Sequence, residues 1–310
     1  MKNKSKLKKI ISSFLIGSML SANLVFAAPE NIEETLSGME TDTYGIAQHG
    51  AVMERIERLE REYNGHLSSG SMGERVDKLY GKLYKNEKEP SVEALTNAIE
   101  WNIKREVTTD PILTRLSALE MKIYGKTGEG TLANRLDSLA RASFGENKLP
   151  VQKCEVPAGT LIKIALTEGV TTKNIKVGDI VHYHVAEDVI VDGVLVFTKG
   201  AKGEGKVTKM QPAKNFGRNA ELLVEFEKTK ALEGTFVETF VGEASKMEME
   251  RMGLAAGASI AGMVLLGPIG IIAGAFVKGK NIELPAGTEL YIETKLDNSL
   301  YGVPMEIKAE

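Results

Sequence analysis

The sequence has a single cysteine, few aromatic residues and no excess of basic residues. Because Cys154 is the only cysteine among 310 residues, an internal disulfide is excluded, and we expect a buried, unreactive thiol, with pairing to a second chain as the alternative. Aromatic residues make up 6%, which leaves few platforms for stacking bases or sugars. The first 27 residues carry five lysines and no acid, so 34 basic and 42 acidic residues remain, a net charge of −8. This charge disfavours nucleic acid as a partner.

The amino terminus has the pattern of an export signal. Five lysines precede an apolar stretch from Ile10 to Phe26, and Val25-Phe26-Ala27 forms a small-x-small cleavage pattern. We therefore expect residues 1–27 to be a signal peptide and the mature chain to start at Ala28. An uncleaved membrane anchor is the alternative. Either way the protein is exported, and we expect a periplasmic or outer-membrane-associated location.

Residues 28–154 contain a repeat of 20 residues. Four units start with an arginine followed by an apolar residue, a degenerate unit fills the 40-residue gap between the second and third, and a sixth copy starts near Leu36. The arginines are Arg55, Arg75, Arg115 and Arg135. Each unit places apolar residues at i, i+3 and i+7 on one stripe of a short helix. A Tyr-Gly or Phe-Gly pair then ends three of the six helices, because glycine accepts the left-handed C-terminal conformation.

The helices are too short to be stable alone, so their stripes must be covered. We expect packing through the stripe leucines Leu59, Leu79, Leu119 and Leu139, with Lys, Glu and Arg on solvated faces. One hypothesis is a small solenoid or bundle. The other, favoured by the narrow stripe, is a set of short coiled coils between chains. The Arg-Leu-x-x-Leu-Glu pattern resembles repeats of exported proteins of cyanobacteria and diderm Firmicutes.

Residues 155–310 change to the period-two pattern of β-strands. About seven short strands are predicted between Leu161 and Lys295, with a hairpin signal at Asp192-Gly193. This density indicates an antiparallel barrel or sandwich, so the fold class is α+β, with helical repeats followed by a β domain. Two Pro-Ala-Gly-Thr motifs, at Pro157 and Pro285, precede the first and last strands, and we expect these strands to meet and close the barrel.

The β domain resembles the carboxy-terminal barrel of type IV secretion outer-membrane core scaffolds. The residues that carry this resemblance are Pro157-Ala158-Gly159-Thr160, Val177-Gly178-Asp179, Val185-Ala186-Glu187-Asp188-Val189, Gly193, Lys199-Gly200-Ala201 and Gly205-Lys206-Val207. They also resemble a broad set of uncharacterised exported bacterial domains. The resemblance implies an envelope fold with a hydrophobic insertion late in the barrel. The chain departs from the secretion scaffolds in lacking their cytoplasmic tail, inner-membrane anchor and Pro-rich linker.

An apolar, glycine-rich segment at residues 253–277 corresponds to that insertion. It has no charged residue, and small residues recur at Gly253, Gly257, Gly262, Gly267, Gly270 and Gly274, with Pro268 after Gly267. Glycines four residues apart allow close helix contact in lipid, and Pro268 argues against one straight helix. We predict a hairpin of two short helices that contacts a membrane or other subunits. A buried helical plug at one end of the barrel is the alternative.

No catalytic motif is apparent, so we do not expect an enzyme such as a wall-glycan hydrolase. His182 and His184 share one strand face but have no apparent third ligand, and we expect no metal and no cofactor. The expected function is a non-catalytic envelope scaffold or tether. Its expected partners are a membrane or envelope proteins, further copies of the chain, or peptidoglycan. The alternative is a component of an outer-membrane secretion or channel core complex.

Overall fold

A computed structural model describes residues 31–86, 89–145, 151–213, 220–255, 263–264, 271–274 and 281–305. The signal peptide predicted at residues 1–27 lies outside these ranges. The described chain is α+β, as predicted: six short helices are followed by antiparallel sheets that include a closed barrel.

The six amino-terminal helices are each 13 residues long and begin at 20-residue steps. They are α1 (Ile32–Tyr44), α2 (Val52–Asn64), α3 (Met72–Tyr84), α4 (Val92–Lys104), α5 (Ile112–Tyr124) and α6 (Leu132–Phe144). The hydroxyls of Ser71, Ser91 and Thr131 cap α3, α4 and α6 by accepting a backbone N–H of the first turn. Glycines with φ between 73° and 91° end α1, α2 and α5. The repeat therefore corresponds to one capped helix and one short connection.

The helices close into a bundle and do not form a linear array. Helix α1 contacts α2, α3 and α5, while α6 contacts α2, α4 and α5. The apolar stripes meet in one core, in which Leu36, Ile56 and Leu116 are fully buried. The prediction of coiled coils between chains was therefore wrong, because six stripes that converge on one interior leave none for a partner chain.

Buried ion pairs between helices complete this interior. Each pair joins an arginine to the glutamate fifteen residues before it, with nitrogen–oxygen distances of 2.6 to 2.8 Å. The pairs are Arg55–Glu40, Arg75–Glu60, Arg115–Glu100 and Arg135–Glu120. The glutamate side chains are at most 2% exposed. The prediction of solvated faces was wrong for these eight residues, since the bundle turns them inward.

The loop that follows the helix of a buried glutamate also donates a hydrogen bond to its carboxylate. Backbone N–H groups of Gln48, Thr108 and Gly128 donate to Glu40, Glu100 and Glu120 at 2.8, 3.0 and 2.8 Å. Burial alone would raise the pKa of Glu100, but Arg115, Lys104 and the Thr108 N–H hold that pKa below its usual value. Glu100 is thus charged at neutral pH, and each pair fixes a loop as well as two helices.

Fourteen strands and a seventh helix occupy the rest of the described chain. The strands are β1 (Gln152–Val156), β2 (Leu161–Leu166), β3 (Val170–Thr171), β4 (Ile180–Val185), β5 (Val189–Val191), β6 (Val194–Phe197), β7 (Lys202–Gln211), β8 (Glu221–Lys230), β9 (Phe236–Phe240), β10 (Met263–Val264), β11 (Ile271–Gly274), β12 (Glu283–Leu284), β13 (Glu289–Thr294) and β14 (Asn298–Pro304). Helix α7 (Glu243–Ala255) lies between β9 and β10.

Six strands form a closed antiparallel barrel, so of the predicted barrel and sandwich the barrel is the one observed. Their order is β8-β7-β4-β2-β13-β9, and β9 pairs back onto β8. A four-stranded sheet, β1-β14-β6-β5, and a two-stranded sheet, β12-β3, complete the β part. The barrel interior is filled by apolar side chains such as Ile164, Val185 and Phe226, each at most 1% exposed.

The two Pro-Ala-Gly-Thr motifs start neighbouring strands of this barrel. The strands β2 and β13 pair antiparallel, with Ile162 opposite Ile292. The N–H of Gly159 donates to the carbonyl of Thr294 at 2.8 Å, and the N–H of Gly287 donates to that of Leu166 at 2.7 Å. Each motif therefore donates a hydrogen bond to the last residue of the other strand, which confirms the prediction that these two strands meet.

Gly203 of β7 lies against the ring of Tyr183 on β4. A Cβ atom at Gly203 would lie 2.1 Å from Cε2 of that ring. The ring is fixed because its hydroxyl donates to the carbonyl of Lys228 at 3.0 Å and its edge packs on Phe226, with ring centroids 5.5 Å apart. Only a residue without a side chain fits at this point of the barrel.

We expect Gly203→Ala to lower the free energy of unfolding by about 1–3 kcal/mol, because the added methyl group overpacks the barrel. The control is Gly81→Ala in α3, where an added Cβ meets nothing within 4 Å. That change should be neutral or stabilise by up to about 1 kcal/mol, since alanine favours helix. Denaturant unfolding followed by circular dichroism measures both, and equal effects would contradict the packing argument.

Candidate assembly surface

The two longest strands of the barrel pair with each other over more residues than either pairs with its other neighbour in the barrel. Strand β7 pairs with β4 only over Lys202–Lys206, and β8 pairs with β9 only over Lys228–Lys230. Strands β7 and β8 nevertheless pair with each other as far as Gln211 and Glu221. We call residues 207–211 and 221–224 the hairpin extension. Val207, Leu222 and Val224 of this extension are at most 1% exposed and belong to the same core as the barrel.

The glycine-rich segment joins this hairpin extension. Strand β11 pairs antiparallel with β8, with Ile271 opposite Leu223 and Ile272 opposite Leu222. Strand β10 in turn pairs with β11 and is the last strand on this side of the sheet in the described residues. The edge of β8 is therefore covered by β9 at one end and by the glycine-rich segment at the other.

The prediction of a hairpin of two short helices at residues 253–277 is corrected by the structure, whose described residues there are the end of α7 and two short strands, β10 and β11. Gly253 lies in the last turn of α7 and Gly274 is the final residue of β11. Gly257, Gly262, Gly267, Pro268 and Gly270 lie outside the described residues. Glycine disfavours helix by about 1 kcal/mol relative to alanine, whereas β-branched residues such as Ile271 and Ile272 favour strands. An open edge on β8 therefore competes successfully with a helix. Among the described residues, no helix combines the length and hydropathy that a bilayer crossing requires.

The other candidate residues on the barrel are engaged locally. His182 and His184 lie on β4, opposite Glu204 and Lys202 of β7. The described ranges contain no cluster of three or more His, Cys, Asp or Glu side chains suited to a metal ion. Glu187 pairs with Lys163 at 2.6 Å.

Cys154 lies buried on β1. Its thiol is 3.5 Å from the carbonyl oxygen of Val191, and burial raises the pKa of the thiol above its usual value. A buried, protonated thiol is a poor nucleophile.

The four stripe leucines lie together in the core of the helix bundle. Leu59, Leu119 and Leu139 are 0% exposed and Leu79 is 4% exposed. They are packing residues within the chain.

The degenerate repeat unit docks the bundle onto the β sheets. In place of the Glu–Arg pair, α3 has Tyr80 and α4 has Leu95. Helix α4 contributes Ile99 to the bundle core and Ala98 and Trp101 to the core of the β sheets. A helix that packs on both sides cannot keep the single stripe of its neighbours, which explains why the repeat breaks down here.

Polar contacts reinforce this junction. The indole N–H of Trp101 donates to Asp188 at 2.6 Å, and Asp188 also accepts the N–H of Lys199 at 2.8 Å. The side-chain amide of Asn97 donates to the carbonyl of Leu232 at 2.8 Å. Sequence reasoning missed this junction, although the break in the repeat and the single tryptophan within it were the available signals.

The sequence and the structure were compared with known proteins. No protein-family profile matches the sequence, and no curated protein matches it. Among solved structures, the chain is similar to ComB10 of the Com type IV secretion system of Helicobacter pylori, at 15% sequence identity and a TM-score of 0.27. The match covers 52% of this chain and 95% of that one. The function proposed below rests on the geometry of this chain.

Proposed function

We propose that this protein is a non-catalytic structural component of a bacterial cell-envelope assembly. It contacts a membrane or neighbouring subunits through its glycine-rich segment. The pairing of strand β11, which belongs to that uncharged segment, with the outer edge of β8 carries the proposal. The barrel closes through six other strands, so the segment is not needed to complete it. An uncharged, apolar stretch that the barrel does not need for closure can bury itself against a second surface.

The rest of the molecule supports a holding role. The bundle core, the barrel and the junction at α4 form continuous contacts, which suits a rigid spacer between two attachment points. Asp188 accepts the indole N–H of Trp101 and the N–H of Lys199, which is a structural role at the junction. The proposal includes no cofactor, and export rests on the signal sequence.

A second candidate is a subunit of an outer-membrane secretion or channel core, in which several copies form a ring. The observation that favours it is the position of β10, whose outer edge is unpaired among the described residues. An unpaired edge is a template for pairing with another chain, and head-to-tail pairing of identical copies closes a ring. In that arrangement the hairpin extensions would pool their apolar segments.

Replacing residues 256–277 with a six-residue Gly-Ser linker tests both candidates. We expect the full chain to partition with membranes or to sediment as an oligomer, and the variant to become soluble and monomeric, because its apolar contact surface is gone. Membrane flotation and light scattering after size-exclusion chromatography measure the two outcomes.

The matched control replaces residues 214–219, which connect β7 to β8, with a Gly-Ser linker of equal length. This control should keep the behaviour of the parent chain. A variant lacking residues 256–277 that partitions and sediments like its parent would refute the proposed role of the segment. A parent that forms a ring of defined copy number by light scattering, without any membrane affinity, would select the second candidate.

A further inference from the structure

A large cleft lies where the helix bundle, the barrel and the four-stranded sheet meet. Its volume is about 730 Å³, and it is lined by α1 and α3 on one side, β8 and β9 at its base, and β1 and β14 on the other side. Sites for small organic ligands usually measure about 300–1,000 Å³ and often lie between structural units. The cleft contacts β8 at Lys228 and Lys230, whereas strand β11 pairs with Leu222 and Leu223, so the inference drawn from the cleft is independent of the function proposed above.

Five lysines line this cleft in a chain whose net charge is negative. Lys228 and Lys230 pair with Glu204 and Glu93 and hold their ammonium groups 5.0 and 5.4 Å from the ring centre of Phe236. The remaining three are Lys85, Lys153 and Lys202. They are at least partly exposed, so they are available to an anion that enters the cleft.

Two of the three acids in the cleft are already engaged. The Asp42 carboxylate accepts the hydroxyl of Tyr84 at 2.5 Å. The Glu233 carboxylate accepts the N–H of Tyr301 at 2.6 Å and the hydroxyl of Thr235 at 2.8 Å. Glu34, on α1, is the third and is exposed. The cleft therefore offers a ligand several positive charges together with a few acceptors for hydroxyl groups.

Aromatic rings are concentrated here although they are few in the chain. Three of the eight tyrosines, Tyr80, Tyr84 and Tyr301, line the cleft. The rings of Tyr80 and Tyr84 have centroids 4.8 Å apart and are inclined by 57°. Rings of this kind supply flat apolar faces with a polar tip, which suit a ligand that has both C–H faces and hydroxyl groups.

We infer that this cleft binds a carboxylate-bearing saccharide, such as an acidic sugar unit of a surface or cell-wall glycan. The lysines recognise the carboxylate, the tyrosine rings cover the C–H face of the sugar, and the exposed carboxylate of Glu34 accepts from its hydroxyls. A dense polyanion such as an acidic peptide fits less well, because Glu34 and Asp42 would repel it. Sequence composition predicted few stacking platforms, but tertiary structure collects several of them at one place.

Calorimetric titration of the purified full chain tests this inference with two matched disaccharides. One is N-acetylglucosaminyl-N-acetylmuramic acid, which carries a carboxylate. The other is di-N-acetylchitobiose, which lacks it. We expect the acidic disaccharide to bind at least tenfold more tightly. A polyglutamate peptide is the third probe. Tighter binding of that peptide, equal affinity for both sugars, or no binding of any probe would overturn the inference.

Variants separate the cleft from general surface charge. Lys153→Gln/Lys202→Gln should weaken binding of the acidic disaccharide at least tenfold. Lys206→Gln, an exposed position further along β7, should leave it unchanged. Tyr80→Leu should weaken both sugars, whereas Tyr80→Phe, which keeps the ring, should not. Equal weakening by Lys206→Gln, or by both Tyr80 variants, would count against this site. Thermal melting of each variant establishes that it is folded.

Discussion

Arg75→Leu should lower the free energy of unfolding by about 3–5 kcal/mol. Arg75 pairs with Glu60, whose side chain is 0% exposed, at 2.6 Å. Removing the guanidinium leaves a buried carboxylate with its desolvation uncompensated, and that penalty exceeds the strength of the pair itself. Burial by itself would raise the pKa of Glu60. Hydrogen bonds from Arg75 and Ser68 hold the pKa below its usual value, so the carboxylate is charged at neutral pH.

Two variants of the same helix region make this prediction specific. Glu60→Met/Arg75→Leu replaces both charges by apolar groups and should recover more than half of the loss, because no charge remains buried. The chain has its own precedent at the α3–α4 step, where Tyr80 and Leu95 occupy the two positions. Arg61→Leu removes an exposed pair with Glu57 and should cost less than about 1 kcal/mol.

Urea unfolding monitored by fluorescence of the single tryptophan measures these differences. An unfolding cost of the double variant equal to the sum of the costs of the two single substitutions would contradict a buried, unpaired carboxylate as the cause. So would a cost for Arg61→Leu as large as that for Arg75→Leu.

Trp101→Ala should cost about 3–5 kcal/mol and uncouple the helix bundle from the barrel. Trp101 is 4% exposed, belongs to the core of the β sheets although it lies on a bundle helix, and donates to Asp188. Its loss removes a large buried apolar side chain from the junction and one of the hydrogen bonds to Asp188. We expect the parent chain to unfold in one transition and the Trp101→Ala variant to unfold in two.

The controls for this prediction are Trp101→Phe and Tyr124→Ala. Phenylalanine keeps most of the buried ring but lacks the N–H, so a loss of about 1–3 kcal/mol is expected. Tyr124 is 44% exposed, and its removal should have little effect on the junction. Urea unfolding followed by circular dichroism, combined with proteolysis between residues 145 and 151, reports the coupling. A single transition in Trp101→Ala, with a cost no larger than that of Tyr124→Ala, would show that the junction is held elsewhere.

The local elements of this protein follow from residue spacing. The 20-residue recurrence of apolar stripes and Tyr-Gly ends predicts the helices, because caps and periodicity act within one turn of the chain. The paired Pro-Ala-Gly-Thr motifs predict two neighbouring strands, because each motif has the same turn chemistry before a strand. The buried ion pairs were within reach as well. A glutamate and an arginine recur fifteen residues apart at four steps, but exposed charges are so common that the pattern was assigned to the surface.

The glycine-rich segment shows where local reasoning stops. Its composition fits a helical hairpin in lipid, a buried plug or an added pair of strands. The edge of β8 before Lys228 decides among these for the described part. That edge is open to β11 because β9 pairs with β8 only over Lys228–Lys230. The cleft between bundle and barrel has the same origin. Tyr80, Lys153 and Tyr301 lie far apart in the chain and share no motif that links them.

The sequence by itself determined the α+β class, the six helices, the strand-rich second half and the apolar character of residues 253–277, since each depends on residues within a few positions of one another. Only the tertiary structure decided that the stripes close into one bundle, that eight charged residues turn inward, and that α4 joins two cores. Those outcomes depend on contacts between segments distant in the chain, whose free energies are set by mutual burial and not by any local pattern.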